Sequence, residues 1–394
     1  MPNFSIYLHI PFCVHRCAYC DFNTYAGIQD LIPSYVNALC REIEQSVESA
    51  GERLPVHTIY FGGGTPSLLP VEAVERIFSA LQRAFDLQPD LEVTLEANPG
   101  TVSLSYWRDL HSLGVNRLSL GMQSGNNEQL RLLERQHGLN DVLQAVDWSR
   151  QAGFENLNLD LIFGIPYQTL EMWQQTLERA LSLRPDHLSL YALTLEHGAP
   201  MQKWIERGLL PEPDDDLAAD MYEAASLRLA ESGFVQYEIS NWARQDKQGN
   251  IFLCRHNLQY WRNMPYLGFG AGAHGYAGGV RTVNELLPAA YIDRCLAGSR
   301  HEFPRTSATV EANPIGRQAE IGETMMMGLR LTREGVSAPV FEKRFGVILK
   351  DLFHDPITRL EKVGLLEWVG EKGDILRLTP RGRLLGNRVF MEFI

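Results

Sequence analysis

Three cysteines lie close together near the start of the chain: Cys13, Cys17 and Cys20, spaced C-x3-C-x2-C. Three thiolates on one loop repel one another and need a cation. Three thiols can each ligate one iron of a [4Fe–4S] cluster, which leaves the fourth iron open to an exchangeable ligand. With His9 or His15 they could instead form a structural Cys3His zinc site. Cys17 and Cys20 alone make a C-x-x-C pair of the thioredoxin-like redox kind. Spacing by itself leaves all three readings open.

Other candidate residues are scattered. Gly62-Gly63-Gly64-Thr65-Pro66 has no following lysine, so it is not a P-loop, and it lacks the G-x-G-x-x-G of a dinucleotide site. Its bare backbone suits close approach to the amine and carboxylate of an amino acid. Glu96 could accept from ribose hydroxyls or an amine, with Gln123 and Asp160 as similar candidates. Further on, His256-Asn257-Leu258-Gln259-Tyr260-Trp261 puts an imidazole beside aromatic side chains. That composition suits packing and turn formation, or an axial ligand against a flat porphyrin face. Gly268–Gly275 reads as a flexible loop carrying His274, a rival ligand together with Cys254.

The elements that must hold these residues can be read from periodicity. Apolar, β-prone runs cover Ser5–Ile10, Thr58–Phe61, Glu92–Glu96, Arg117–Leu120, Asn156–Ile162 and His187–Leu193. Helical spacing appears between them, as in Val36, Leu39, Ile43 and Val47, or Val74, Ile77, Phe78, Leu81 and Phe85. Alternation of this kind predicts right-handed βαβ units and a parallel sheet. Six such units favour an incomplete (β/α)6 barrel, with its site at the C-terminal strand ends. Those ends carry the cysteine loop, the glycine run, Glu96-Ala97-Asn98-Pro99, Gly121-Met122-Gln123-Ser124, Asp160, and Tyr191 to Glu196. The expected first domain spans residues 1–210.

Residues 211–308 read as a linker and barrel extension. Pro211-Glu212-Pro213-Asp214-Asp215-Asp216 leads into a helix over Leu217–Ser232, and Tyr237–Trp242 suggests one more strand. Residues 309–394 read as a small winged-helix-like α+β domain. Its expected helices are Ile321–Leu331, Ala338–Phe345 and Leu349–Val363, followed by a hairpin, Leu365–Val369 with Asp374–Leu378. Winged helices often bind DNA, but the net charge of −12 speaks against a nucleic-acid partner and favours a lid or docking role. A 45% hydrophobic content supports full cores. No apolar run is long enough for a bilayer span, and the start lacks signal-peptide character. Six cysteines, three of them clustered, suggest metal ligands in a reducing cytoplasm.

Taken together, these segments resemble the radical S-adenosylmethionine superfamily, and within it the oxygen-independent coproporphyrinogen oxidase-like family. The resemblance runs over Tyr7–Cys13, Gly62–Ser67, Glu96–Pro99, Asn158–Asp160 and Tyr237–Asn241. It implies a [4Fe–4S] cluster on Cys13, Cys17 and Cys20, with S-adenosylmethionine on the open iron. Tyr7, Gly63 and Glu96 would contact that molecule, and Gly64, Thr65, Gln123, Arg135 and Asp160 match a second S-adenosylmethionine site of the oxidase. Two features separate the branches. The oxidase has a further cysteine two positions after the third, where this chain has Phe22. His256, Asn257, Tyr260 and Trp261 match the H-N-x-x-Y-W signature of the haem-chaperone branch. The resemblance therefore implies haem binding and haem transfer to an acceptor protein. An electron donor and a homodimer are further expectations, and radical decarboxylation of coproporphyrinogen III is the alternative. Gly125 departs from relatives, which commonly carry a bulky aromatic there.

Overall fold

The computed structural model describes residues 3–299 and 301–394. The chain forms two compact units: residues 1–228 with 265–313, and residues 229–264 with 314–394. The segment 211–308 is thus divided between the two.

In the first unit the six expected strands are present: β1 (Phe4–Ile10), β2 (Pro55–Gly63), β3 (Asp86–Ala97), β4 (Arg117–Gln123), β5 (Asn156–Phe163) and β6 (His187–Ala192). They lie side by side in chain order and all neighbours are parallel, with Ile6 opposite Ile59, Leu95 opposite Leu118, and Leu159 opposite Leu188. The order is linear, so the barrel is incomplete. Helices α1 (Ile32–Ala50), α2 (Val71–Ala84), α3 (Leu104–Ser112), α4 (Asn127–Leu132), α5 (Leu139–Gln151) and α6 (Leu170–Ser182) provide the crossovers. Val36, Leu39 and Ile43 of α1 and Val74, Ile77, Phe78 and Leu81 of α2 are buried, as their spacing requires. Each fully buried chain of this kind contributes about 1.5–3 kcal/mol of transfer free energy. Asp214 caps the following helix, Asp215–Glu231, its carboxylate accepting from the N–H groups of Asp216 and Leu217 at 3.0 Å.

The glycine-rich stretch is not a flexible loop. Tyr266–Phe269 is a strand that pairs parallel with β1, and His274–Ala277, Val280–Asn284 and Thr309–Pro314 extend the sheet beyond it. The glycines are there because backbone passes too close for a side chain. A Cβ on Gly268 would overlap the His274 carbonyl oxygen, and Gly270, at φ +104°, has the His9 carbonyl oxygen 2.5 Å from where its Cβ would stand.

One buried carboxylate ties this extension to the barrel. Glu42 of α1 accepts from Gly270 N at 2.9 Å, Asn284 Nδ2 at 2.7 Å, Tyr291 Oη at 2.6 Å and Thr306 Oγ1 at 3.0 Å. Four donors from four segments make the carboxylate affordable inside a protein core. Burial nonetheless pushes its pKa up to about 7.

The second unit corrects several expectations. Tyr237–Trp242 is a hairpin, not one strand: Phe234–Glu238 pairs antiparallel with Asn241–Arg244. His256 to Trp261 lie on a helix, Arg255–Trp261, which places His256 and Tyr260 on one face. Leu349–Val363 breaks into Leu349–Leu352 and His354–Lys362 at Phe353. Pro356 is the cause, since it has no N–H and its ring excludes the helical carbonyl four residues back. The helix expected over Ile321–Leu331 runs instead over Arg317–Gly328. Ala338–Phe345 is helical as expected, and Leu366–Val369 pairs with Ile375–Leu378 around a core of Met325, Phe341, Leu349, Leu360 and Leu376.

Glu42→Ala should destabilise the protein by about 3–5 kcal/mol in chemical denaturation, because four buried donors lose their acceptor. A carboxyl raised to about 7 in the fold and titrating near 4.3 when unfolded binds its proton more tightly in the native state. Its contribution is therefore fully present below about pH 4 and lost as pH rises to about 7. Between those values, stability should decline less steeply with pH in Glu42→Gln than in wild type.

Candidate functional site

The C-terminal ends of β1 to β5 carry the site, and hydrogen bonds show how its parts are held. Beyond β1 the cysteine loop folds back on the β2 end. Gly64 N donates to Ile10 O and Thr65 N to Phe12 O, both at 2.8 Å, and Thr65 Oγ1 donates to Cys13 Sγ at 3.6 Å. A Cβ on Gly64 would meet Phe12 O at 2.7 Å, Ile10 O at 2.9 Å and Cys13 Sγ at 3.1 Å, so the glycine run is a cradle for the cysteine loop. Cys13, Cys17 and Cys20 are free thiols, and burial holds Cys13 and Cys20 above the ordinary thiol pKa.

His9 is not available to a zinc ion. Its Nε2 donates to Asn23 O at 2.9 Å, which leaves Nδ1 to accept from Tyr7 Oη at 3.0 Å. Burial lowers the His9 pKa and so favours this neutral form. Among the described residues no three His, Cys, Asp or Glu side chains converge on a single metal ion. The three thiols fit a larger, multi-iron group, and Arg135 supplies the complementary observation. Its Nη1 donates to Cys17 Sγ at 3.4 Å and its Nη2 to Gly121 O at 3.1 Å, while its buried Nε has no partner. A guanidinium against the Cys17 thiol is suited to an anionic cluster.

Two polar groups sit beside the thiols. Glu96, at the end of β3, accepts from Tyr60 Oη at 2.8 Å and Gly63 N at 3.2 Å. Tyr60 stacks on Tyr7 with ring centroids 6.3 Å apart, so Tyr7, Gly63 and Glu96 belong to one surface. Burial and the nearby Asp160 charge raise Glu96 to about 7, against the hydrogen bond from Tyr60 and the opposing charge of Arg117. Asp160 of β5 accepts from Ser119 Oγ and Asn158 Nδ2, both at 2.9 Å, and burial raises its pKa. The second group is Gly121, Gln123 and Arg135. A Cβ on Gly121 would stand 2.9 Å from Gln123 Nε2 and 3.1 Å from Arg135 Nη2. Gln123 holds a left-handed φ of 62°, a strained state for a non-glycine residue at a strand end. Gly125 sits in a tight place, since a Cβ there would lie 3.0 Å from Arg179 Cδ and 3.1 Å from Thr176 Cα.

Of the eight residues expected near S-adenosylmethionine, Gly63, Gly64, Thr65, Glu96, Gln123 and Arg135 lie at or after the first unit's strand ends, while Tyr7 and Asp160 lie within β1 and β5. His256, Asn257, Tyr260 and Trp261 belong to the second unit. His256 is only 2% exposed, and its Nε2 is hydrogen-bonded to Tyr260 Oη at 2.9 Å. Phe22 is 61% exposed. Sequence reasoning missed Tyr60, Asn23 and His137, the last buried between Asn98 and Met122 and lowered to about 4. Tyr60 had one signal, its place opposite Tyr7 in the β1–β2 register. The other two had none.

Comparison with known proteins agrees with this geometry. The radical SAM superfamily profile matches residues 7–180, and the HemN C-terminal domain profile matches residues 317–385. The heme chaperone HemW of Bacillus subtilis (strain 168) is 37% identical over 99% of both chains. The chain belongs to the HemW family of radical S-adenosylmethionine proteins. The family's Escherichia coli (strain K12) member is 40% identical over 70% of each chain. Among solved structures, coproporphyrinogen III oxidase (HemN) from Escherichia coli superimposes with a TM-score of 0.82, at 26% identity, covering 99% of this chain and 90% of that one. The superfamily's cofactors are a [4Fe–4S] cluster and S-adenosylmethionine, and the thiols, the Gly64 cradle and the unpartnered Arg135 nitrogen fit them.

Gly64→Ala should fold but lose most of its iron and sulfide on reconstitution, because the contacts it violates are to backbone atoms. Glu96 binds hydroxyls and amines best when ionised, so S-adenosylmethionine affinity should rise as pH passes up through about 7. Glu96→Gln should flatten that profile in anaerobic calorimetry and weaken binding by about tenfold.

Proposed function

We propose that the chain is a haem chaperone: it binds haem alongside its cluster and S-adenosylmethionine, and passes haem to an acceptor protein. The observation that carries this reading is the full-length likeness to proteins named heme chaperone, 37% identical over 99% of both chains. Phe22 supports it, standing where the oxidase has a further cysteine.

Within this reading Cys13, Cys17 and Cys20 hold the cluster. Tyr7, Gly63 and Glu96 orient the first S-adenosylmethionine, and Gly64, Thr65, Gln123, Arg135 and Asp160 line a second position. When bound, the cluster supplies low-potential electrons. This chain's residues bind, orient and exclude water around it. Among the described residues no helix is long and apolar enough to cross a membrane. A cytoplasmic location is part of the same proposal, because clustered free thiols need a reducing compartment. An electron donor and a homodimer complete the proposal.

The second reading is oxygen-independent coproporphyrinogen III oxidation, favoured by the full-length superposition on HemN. It would convert propionates to vinyl groups by loss of a β-hydrogen atom and carbon dioxide, with the remaining electron passed to an electron acceptor.

The haem ligand is assigned to His256, which must exchange its bond to Tyr260 for iron. His274 is exposed on its strand and is the accessible rival, and Cys254 is buried. The test is an anaerobically reconstituted protein, assayed for coproporphyrinogen turnover and titrated with haem as wild type, His256→Ala and His274→Ala. The chaperone reading expects haem binding, no turnover, and a loss of affinity of at least about tenfold in His256→Ala alone. Turnover would overturn that reading. An effect confined to His274→Ala would move the ligand.

A further inference from the structure

Among the described residues, Arg330 of the second unit is a cation with no anion in direct contact. Its guanidinium carbon lies 4.5 Å from the Phe390 ring centroid and 5.2 Å from that of Trp261, over both rings. Among the described residues it makes no salt bridge or hydrogen bond, and its buried Nε has no partner. The indole Nε1 of Trp261 is buried and unpartnered as well. Two N–H donors, one of them cationic, are therefore unmet beside the same stack.

Glu238, the neighbouring carboxylate, does not fill the gap. Its oxygens accept from Ser240 N at 3.1 Å, from Asn257 Nδ2 at 3.5 Å and from Asn241 Nδ2. Burial lowers the Arg330 pKa while Glu238 opposes that shift, so the charge is held at a cost that no direct partner offsets. Aromatic rings cover the faces of a guanidinium but cannot accept its in-plane N–H bonds. A planar fork stacked in this way is matched by one ligand chemistry above others, a carboxylate taken edge-on.

The place of Trp261 narrows the ligand. It is the last residue of the His256–Trp261 segment, and Asn257 and Trp261, four apart on one helix, share a face. Asn257 reaches Glu238, and Trp261 lies under Arg330. That face joins two segments that the sequence singled out separately, Tyr237–Asn241 and His256–Trp261. We propose that Arg330 and the Trp261 indole N–H form a carboxylate subsite that takes a haem propionate. The inference rests on the haem reading above and adds the group that anchors the rim of the porphyrin.

The test titrates the full-length, reconstituted protein with haem and with haem dimethyl ester, whose propionates are esterified. Wild type should bind haem about ten- to a hundredfold more tightly than the diester, the range expected for hydrogen bonds to a charged group. Arg330→Met should remove that difference by weakening haem alone. Arg330→Lys, which keeps the charge and loses the fork, should fall between the two. Wild type that binds haem and diester equally overturns the propionate assignment and leaves the haem reading standing. So does an Arg330→Met protein that weakens both equally, or neither, in which case the guanidinium serves the fold or a protein carboxylate. Wild type that binds neither porphyrin overturns the haem reading, and the subsite with it. The wild-type comparison requires no variant to fold.

Discussion

The site depends on how Asn23 is held. This residue lies three positions after Cys20, and every polar group it has beyond its own N–H is engaged. Its carbonyl oxygen accepts from His9 Nε2 at 2.9 Å, its Nδ2 donates to Ala271 O at 3.0 Å and Leu286 O at 2.9 Å, and its Oδ1 accepts from Tyr25 Oη at 2.9 Å. The loop carrying the three thiols has only a two-residue pairing of its own, Phe12–Cys13 with Tyr25–Ala26, to fix it. Here it is fixed from one side by the end of β1 and from the other by the extension that follows Tyr266–Phe269. Tyr35 closes the arrangement, donating to His9 O at 2.7 Å and accepting from Ala271 N at 2.8 Å. Glu42 then anchors the same extension through Gly270 N. Cluster loop, glycine turn and buried carboxylate thus form one connected polar network, in which losing one member strands the donors of the others.

That network also accounts for the chemistry on the rim. Thiols, carboxylates and a guanidinium are expensive to bury, and each is placed so that another group shares the cost. Arg135 lies against Cys17, Arg117 moderates Glu96 and Asp160, and Tyr60 and Gly63 donate to Glu96. Glu96 near 7 is poised to change charge when a cationic ligand arrives. The second unit shows the opposite situation at Arg330, where the aromatic cover is present and, among the described residues, no anion makes a direct contact.

Much of the first unit was legible from periodicity, because six parallel strands buried on both faces leave long apolar runs. The C-terminal residues of those runs named the rim, from the cysteines to Asp160. The Gly268–Gly275 strand pair was not legible, since glycines chosen for close backbone approach look like glycines chosen for flexibility. The helix at Arg255–Trp261 was hidden for a related reason: at seven residues it is too short for its period to stand out.

By itself the sequence narrowed the ligands this protein could hold. Thiol spacing, a glycine run with no lysine after it, and a histidine segment with its aromatic neighbours are statements about chemistry that need no coordinates. Tertiary structure decided which groups are free to act. His9 and His256 are both plausible ligands in sequence, yet each already spends a ring nitrogen on a neighbour, Asn23 in one case and Tyr260 in the other. Arg330 is an ordinary basic residue in sequence, and only folding shows it stacked against two rings with its Nε unpaired among the described residues. Hydrogen-bond partners come from segments far apart in the chain, so whether a polar group is satisfied is settled only when those segments meet.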